Sequence, residues 1–257
     1  MVHTVSAPPL ALHLHGLRDR VGVLIDAGLH VLLWGPPGWG KTTLSGDLAR
    51  RFDEVVNTTV WPGTDEATLI AGRVLAGTET PYELGPWARA AERAEAGGRV
   101  LLRIAEAQNM PTVCHQHLAS LSGNQALHLP GGRTIHTGSR LTVILEANPP
   151  ARIPDFMLDR LQRVELRPWP VEAIEAWMQT QGLGDPEAAA IARLVASHND
   201  SEARTGGNKL ISVRGLSAYC RLRAVGLGAT QAAELGMLSH CDHREPFLTA
   251  LQAVWPD

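Results

Sequence analysis

The chain is poor in lysine. Of its 23 basic residues only Lys41 and Lys209 are lysines, and arginine carries positive charge everywhere else. Three cysteines, Cys114, Cys220 and Cys241, are scattered and odd in number, which excludes a disulfide framework and fits a reducing compartment. A formal net charge of −3, with neither half markedly basic, gives no support to a general nucleic-acid or membrane-surface binder. No apolar run approaches the roughly 20 residues of a bilayer span. Residues 1–30 also lack the charged segment followed by an apolar stretch that marks a secretory leader. These absences predict a soluble, cytoplasmic protein. Internal repeats and low-complexity tracts are missing as well. The 257 residues are enough for one full core and a smaller satellite domain.

Against this background one segment stands out. Gly35-Pro36-Pro37-Gly38-Trp39-Gly40-Lys41-Thr42 is a complete phosphate-binding loop of the G-x-x-x-x-G-K-T type, and Thr43 follows it. Glycines at 35, 38 and 40 let the backbone curl so that its N–H groups converge on phosphate oxygens. Lys41 supplies charge for the β and γ phosphates, and Thr42 offers a hydroxyl to Mg2+. The flanks agree: an apolar run at 30–34 reads as a buried strand, and Leu44, Leu48 and Ala49 fall at helical spacing after the loop. The segment predicts binding of a nucleoside triphosphate. Trp39 stands where a small residue is common; a cover over the nucleotide and a subunit contact are both open to it.

Apolar runs at 30–34, 55–60, 99–105, 141–147 and 163–166 alternate with helical stretches, the rhythm of a mostly parallel five-stranded sheet sandwiched by helices. After Pro168-Trp169-Pro170 the pattern is helical only, near 171–181, 186–197, 208–224, 229–238 and 244–254. The fold class is α/β, with a nucleotide-binding domain over 1–168 and an all-helical lid domain over 169–257. Two small hairpins are expected, one turning at Gly131-Gly132 and one at Gly77-Thr78.

Beyond the phosphate loop, Gly63-Thr64-Asp65-Glu66-Ala67-Thr68-Leu69-Ile70-Ala71-Gly72-Arg73 and Leu84-Gly85-Pro86-Trp87-Ala88-Arg89-Ala90 resemble the MoxR-like and related AAA+ ATPases of the helix-2-insert, dynein-related group. Later landmarks arrive in that group's order over about residues 15–225. Arg99 to Glu106 stands at the Walker B strand, Ala147-Asn148-Pro149 at sensor 1, Leu158-Asp159-Arg160-Leu161 at the arginine finger, and Ser212-Val213-Arg214 at sensor 2. The resemblance implies ATP and Mg2+ as cofactors and a homo-oligomeric ring, commonly hexameric, with ATP between subunits. It also implies a client protein remodelled by hydrolysis, often with a von Willebrand A-type adaptor. Within it, Glu106 activates the attacking water and Asn148 holds that water. Arg160 reaches the γ phosphate of the next subunit, and Arg214 reads the nucleotide from the lid, in cis or across the interface. Plainer readings stand beside these: a surface acid at a strand end for Glu106, a turn-forming Asn before Pro149, and an ion pair of Arg160 with Asp155 or Asp159.

One position departs from the group. The Walker B run ends in Asp-Glu there, whereas here Val100-Leu101-Leu102-Arg103-Ile104-Ala105-Glu106 puts Ala105 in the aspartate's place. Loss of such an outer partner weakens metal affinity or activity roughly 10 to 100-fold, about 1.4 to 2.7 kcal/mol. Arg103 is equally unusual in a central strand and needs a partner. Glu146, on the neighbouring sensor 1 strand, is that partner in a cross-strand salt bridge; alternation also puts Arg103 on the face of Ala105, toward the metal, where it would repel it.

Two functions follow. The first is a chaperone-type ATPase that remodels a partner, with turnover slowed by Ala105. The alternative is a nucleotide-binding structural or regulatory ring subunit that hydrolyses little. Cys114-His115-Gln116-His117 and Cys241-Asp242-His243 hold possible metal ligands, but no second cluster lies at metal-site spacing, and ordinary helix residues are the expectation for the first.

Overall fold

The five apolar runs become five strands of one parallel sheet. A computed structural model describes residues 12–73, 81–149, 153–205, 209–239, 241 and 244–255. In chain order the first elements are α1 (Leu12–Asp26), β1 (Val31–Trp34), α2 (Lys41–Leu48), β2 (Glu54–Thr59), α3 (Glu66–Leu69), β3 (Ala71–Arg73) and β4 (Tyr82–Leu84). Next come α4 (Pro86–Glu95), β5 (Val100–Ala105), α5 (Thr112–Asn124), β6 (Ala126–His128), β7 (Thr134–His136), β8 (Leu141–Ala147), α6 (Asp155–Leu158) and β9 (Gln162–Glu165). The last are α7 (Val171–Thr180), α8 (Asp185–Thr205), α9 (Val213–Ala224), α10 (Ala229–Ala232) and α11 (Glu245–Val254).

The main sheet runs β2-β5-β8-β1-β9, and every adjacent pair is parallel. Parallel strands buried on both faces read as continuous apolar runs, which is why Val31-Leu32-Leu33 and Leu141 to Ala147 carry so few polar residues. One face packs on α4, whose Trp87, Ala88, Ala91 and Ala94 are wholly buried with Leu102, Ile104 and Leu145. Small alanines let the helix lie close to the strands, and Trp87 is its one large side chain in this cluster.

The hairpin at the glycines forms as expected, with β6 and β7 antiparallel. β3 and β4 also pair antiparallel, but the turn expected at Gly77-Thr78 lies outside the described residues. Helix α1 carries no sequence expectation: Gly16 and Gly22 interrupt its apolar period, and burial of Val21 and Ile25 rather than propensity holds it. After the phosphate loop α2 ends at Leu48 and gives way to a 3-10 turn at Ala49–Arg51, so Ala49 of the helical spacing falls in that turn.

Contacts divide the chain into two compact units. One comprises Leu17–Gly35 and Lys41–Leu166; the other takes in Arg167 onward, the stretch Pro36–Gly40 and the start of α1 up to Gly16. In the helical unit α7 and α8 pack together, and α10 runs into a π-helical turn at Ala233–Met237 that packs on α9. Asn199 of α8 accepts from the Ile211 amide at 2.8 Å and donates to its carbonyl at 3.1 Å, so one buried side chain fixes the approach to α9. Glu187 takes the Tyr219 hydroxyl and the Nε and Nη2 donors of the Arg223 guanidinium side-on, which satisfies a buried carboxylate.

Candidate nucleotide site

β1 is short, lies between β8 and β9 and is largely buried, and it ends by delivering Gly35 to the carboxyl edge of the sheet. Open α/β sheets bind ligands at that edge. A Cβ built on Gly35 would sit 2.3 Å from the Leu166 carbonyl oxygen, so only glycine fits where the chain leaves the strand. Lys41 then opens α2. Its ammonium, on a residue only 8% exposed, donates to the Gly35 carbonyl at 2.7 Å and to Asn148 Oδ1 at 2.6 Å. The lysine therefore curls back over the loop that carries it.

Asn148 follows the last residue of β8, and its side chain works in two directions. Oδ1 takes the lysine, while Nδ2 donates to Glu106 Oε2 at 3.1 Å. Glu106 follows β5 with φ 55° and ψ 41°, the left-handed region that costs a non-glycine residue about 1–2 kcal/mol. Gln108 Nε2 donates to the same Glu106 oxygen, and Gln108 Oε1 accepts from the Asn148 amide at 3.3 Å. Lys41, Asn148, Glu106 and Gln108 thus form one connected polar set. Gln108 was not among the residues singled out from the sequence; lying in a 3-10 turn after a strand, it has no signal of its own.

A second set lies around α2. The salt bridge expected between Arg103 and Glu146 is present, with Nη2 to Oε1 at 3.2 Å and side chains 15% and 4% exposed. The two are not level, however: Arg103 pairs across with Ile144, and Glu146 lies two residues further along, so the contact is diagonal. Arg103 also donates to Asn57 Oδ1 at 3.0 Å, to the Thr42 carbonyl at 3.2 Å and to Ser45 Oγ at 2.7 Å. Ser45 Oγ donates to Glu146 Oε1, and Thr42 Oγ1 donates to Glu146 Oε2 at 2.6 Å. Asn57 and Ser45 were also missed, because each reads in sequence as an ordinary strand or helix residue.

This donor set fits Mg2+. A hydroxyl that gives its proton to a carboxylate turns its lone pairs outward, and hard oxygen donors are what that ion takes. Gly38 has φ +77°, and a Cβ there would meet Ser212 Cβ at 2.6 Å and Arg214 Cβ at 3.7 Å, so the loop tip must be bare backbone. Ser212 caps α9 by accepting from the Gly215 amide at 3.2 Å, and Arg214, exposed, stands in its first turn.

The remaining residues singled out from the sequence have plain positions. Pro37 and Thr43 are exposed, and Pro36 and Gly40 are partly buried. Trp39 is wholly buried, so its indole is neither a lid over an open site nor a surface for a neighbouring subunit; its Nε1 has no partner among the described residues. Arg160 is exposed and donates to the Phe156 carbonyl of its own turn; among the described residues it makes no ion pair with Asp155 or Asp159, and it does not join the Lys41 set. In the run after Glu106, Cys114 is buried with its thiol pushed up to about 11 by desolvation, then by Glu66 and Asp65. His115 bonds the Pro111 carbonyl and His117 bonds Glu66 at 2.7 Å, so these are helix residues with ordinary partners. Among the described residues no cluster of His, Cys, Asp and Glu could hold a metal, and Asp242 and His243 lie outside them.

A parallel sheet with a glycine loop at its carboxyl edge, a lysine opening the next helix and an acid after the neighbouring strand define an ATP-binding AAA+ core. The chain belongs to the AAA domain family, dynein-related subfamily, whose model matches residues 30–164, just over half of the sequence. A solved structure of a candidate ATPase from Cytophaga hutchinsonii is similar, at 17% identity and a TM-score of 0.49 over 71% of this chain and 58% of that one. The chain thus spans under two thirds of that protein's length. No curated protein matches. Among the described residues no helix is long and apolar enough to cross a membrane.

Proposed function

We propose that the chain is a working ATPase of the chaperone type, hydrolysing ATP in a homo-oligomeric ring to remodel a partner protein. The observation that carries the reading is the Lys41–Asn148–Glu106 connection, which ties the phosphate-binding lysine to the catalytic acid through one amide. Binding of a triphosphate draws the Lys41 ammonium to the β and γ phosphates and loosens its hold on Asn148. Asn148 is then able to hold a water beside Glu106, whose carboxylate accepts that water's proton as attack begins. The amides of Gln108 and Asn148 fix the orientation of Glu106 in the meantime. Thr42 would hold magnesium through its hydroxyl, and the ion would supply charge neutralisation to the phosphates. Arg160, exposed at the end of α6, is proposed to serve the neighbouring subunit's nucleotide, and Arg214 to read nucleotide from α9.

Steady-state ATP turnover with magnesium, at protein concentrations where rings form, tests this. Native turnover abolished in Lys41→Ala and in Glu106→Gln supports it. Tight ADP binding without native turnover favours a regulatory or structural subunit instead, a reading that Ala105 keeps alive.

A further inference from the structure

The sheet register bears on the carboxylate that Ala105 does not supply. Ile104 of β5 is level with Leu145 of β8, and one step further brings Ala105 level with Glu146. Level residues on adjacent parallel strands present their side chains to the same face. Ala105 carries no group that reaches the first turn of α2; Arg103, two residues earlier on β5, does, and it bonds both the Thr42 carbonyl and Glu146. Glu146 Oε2 reaches Thr42 Oγ1 at 2.6 Å, the hydroxyl that the loop offers to the metal.

The rest of the environment holds this carboxylate in place. Among the described residues Oε1 takes Ser45 Oγ and Arg103 Nη2, whereas Oε2 takes Thr42 alone. An ionised carboxylate has about four acceptor positions, so one remains on the oxygen that faces Thr42. An ion pair kept only to hold strands together is replaceable by apolar residues at little cost. Here the pair is instead aimed at a ligand-bearing hydroxyl.

We infer that Glu146 supplies, from β8, the carboxylate that Ala105 lacks on β5, accepting from magnesium-bound water while orienting Thr42, with Arg103 and Ser45 as its positioning partners. This rests on the nucleotide-binding reading above and adds the metal's outer partner to it. The guanidinium partly offsets the charge of the carboxylate, so the site binds metal less tightly than one with an unpaired acid.

The test is calorimetric ADP affinity in magnesium and in EDTA, whose ratio reports the metal's contribution without any turnover. The native chain is expected to bind ADP at least tenfold more tightly with magnesium. Glu146→Gln, which keeps the shape, should lose most of that ratio while its EDTA affinity stays within about threefold, and adding Ala105→Asp to it should restore the ratio. Ala105→Asp in the native background needs no disruption of the buried pair, and it should raise the ratio less than about threefold, because the carboxylate is already present. A native ratio near one, a ratio untouched by Glu146→Gln, or a tenfold gain from Ala105→Asp alone would overturn the inference. Failure of the ATPase reading looks different: a normal metal ratio with no turnover, or no ADP binding in either buffer.

Discussion

Asn148 Oδ1 lies 2.6 Å from Lys41 Nζ, so the residue that follows β8 and the first residue of α2 hold each other. Asn148→Ala removes this clasp and the orienting bond to Glu106 together. Turnover is expected to fall by about two orders of magnitude, in the range typical for loss of a positioned polar group. ADP affinity should change by less than about threefold, since the lysine is released rather than lost. Single-turnover kinetics beside calorimetry separates the two effects; equal losses in both would show that Asn148 matters mainly for binding.

Glu106 sits in the left-handed region at φ 55°. Alanine there keeps the strain, whereas glycine relieves it. Glu106→Gly is therefore expected to be more stable than Glu106→Ala by about 1 kcal/mol, the reverse of glycine's usual penalty. Urea unfolding of the two variants measures the difference, and both should be inactive.

The Arg103–Glu146 pair is buried and has several bonds to neighbouring groups. Glu146→Ala leaves the guanidinium uncompensated and should cost about 3–5 kcal/mol. Glu172→Ala, at an exposed position in the first turn of α7, should cost no more than about 1 kcal/mol. Denaturant midpoints decide; comparable losses would remove the structural claim for the pair.

His30 is buried, and desolvation lowers its pKa to about 4. Its Nδ1 accepts from the Val143 amide at 3.0 Å, a bond that needs the neutral ring. The folded pKa lies below the unfolded value of 6.5, so the unfolded chain binds the extra proton between these limits. Stability is full above pH 6.5 and drains away as pH falls toward 4, with about 2 kcal/mol lost by pH 5 from this group alone. His115, also lowered mainly by desolvation, acts in the same direction. Urea titrations at pH 8 and pH 5, native against His30→Gln, should show the shallower pH dependence in the variant.

Sequence alone determined the phosphate loop, the five strands and their parallel character, because a glycine bend and a doubly buried strand each impose a local pattern that neighbours cannot disguise. It also marked Arg103 and Glu146 as partners, since opposite charges in two buried strands leave few other solutions. Tertiary structure alone decided that Glu146 stands level with Ala105 and touches Thr42, that Gln108 and Ser45 complete the two polar sets, and that Trp39 is core. Those outcomes depend on strand register and on which helix turn faces the sheet, and both are set by packing over long separations in the chain. A helix such as α1, with glycines interrupting its apolar period, shows the same limit: burial made it, and burial leaves little trace in a short stretch of sequence.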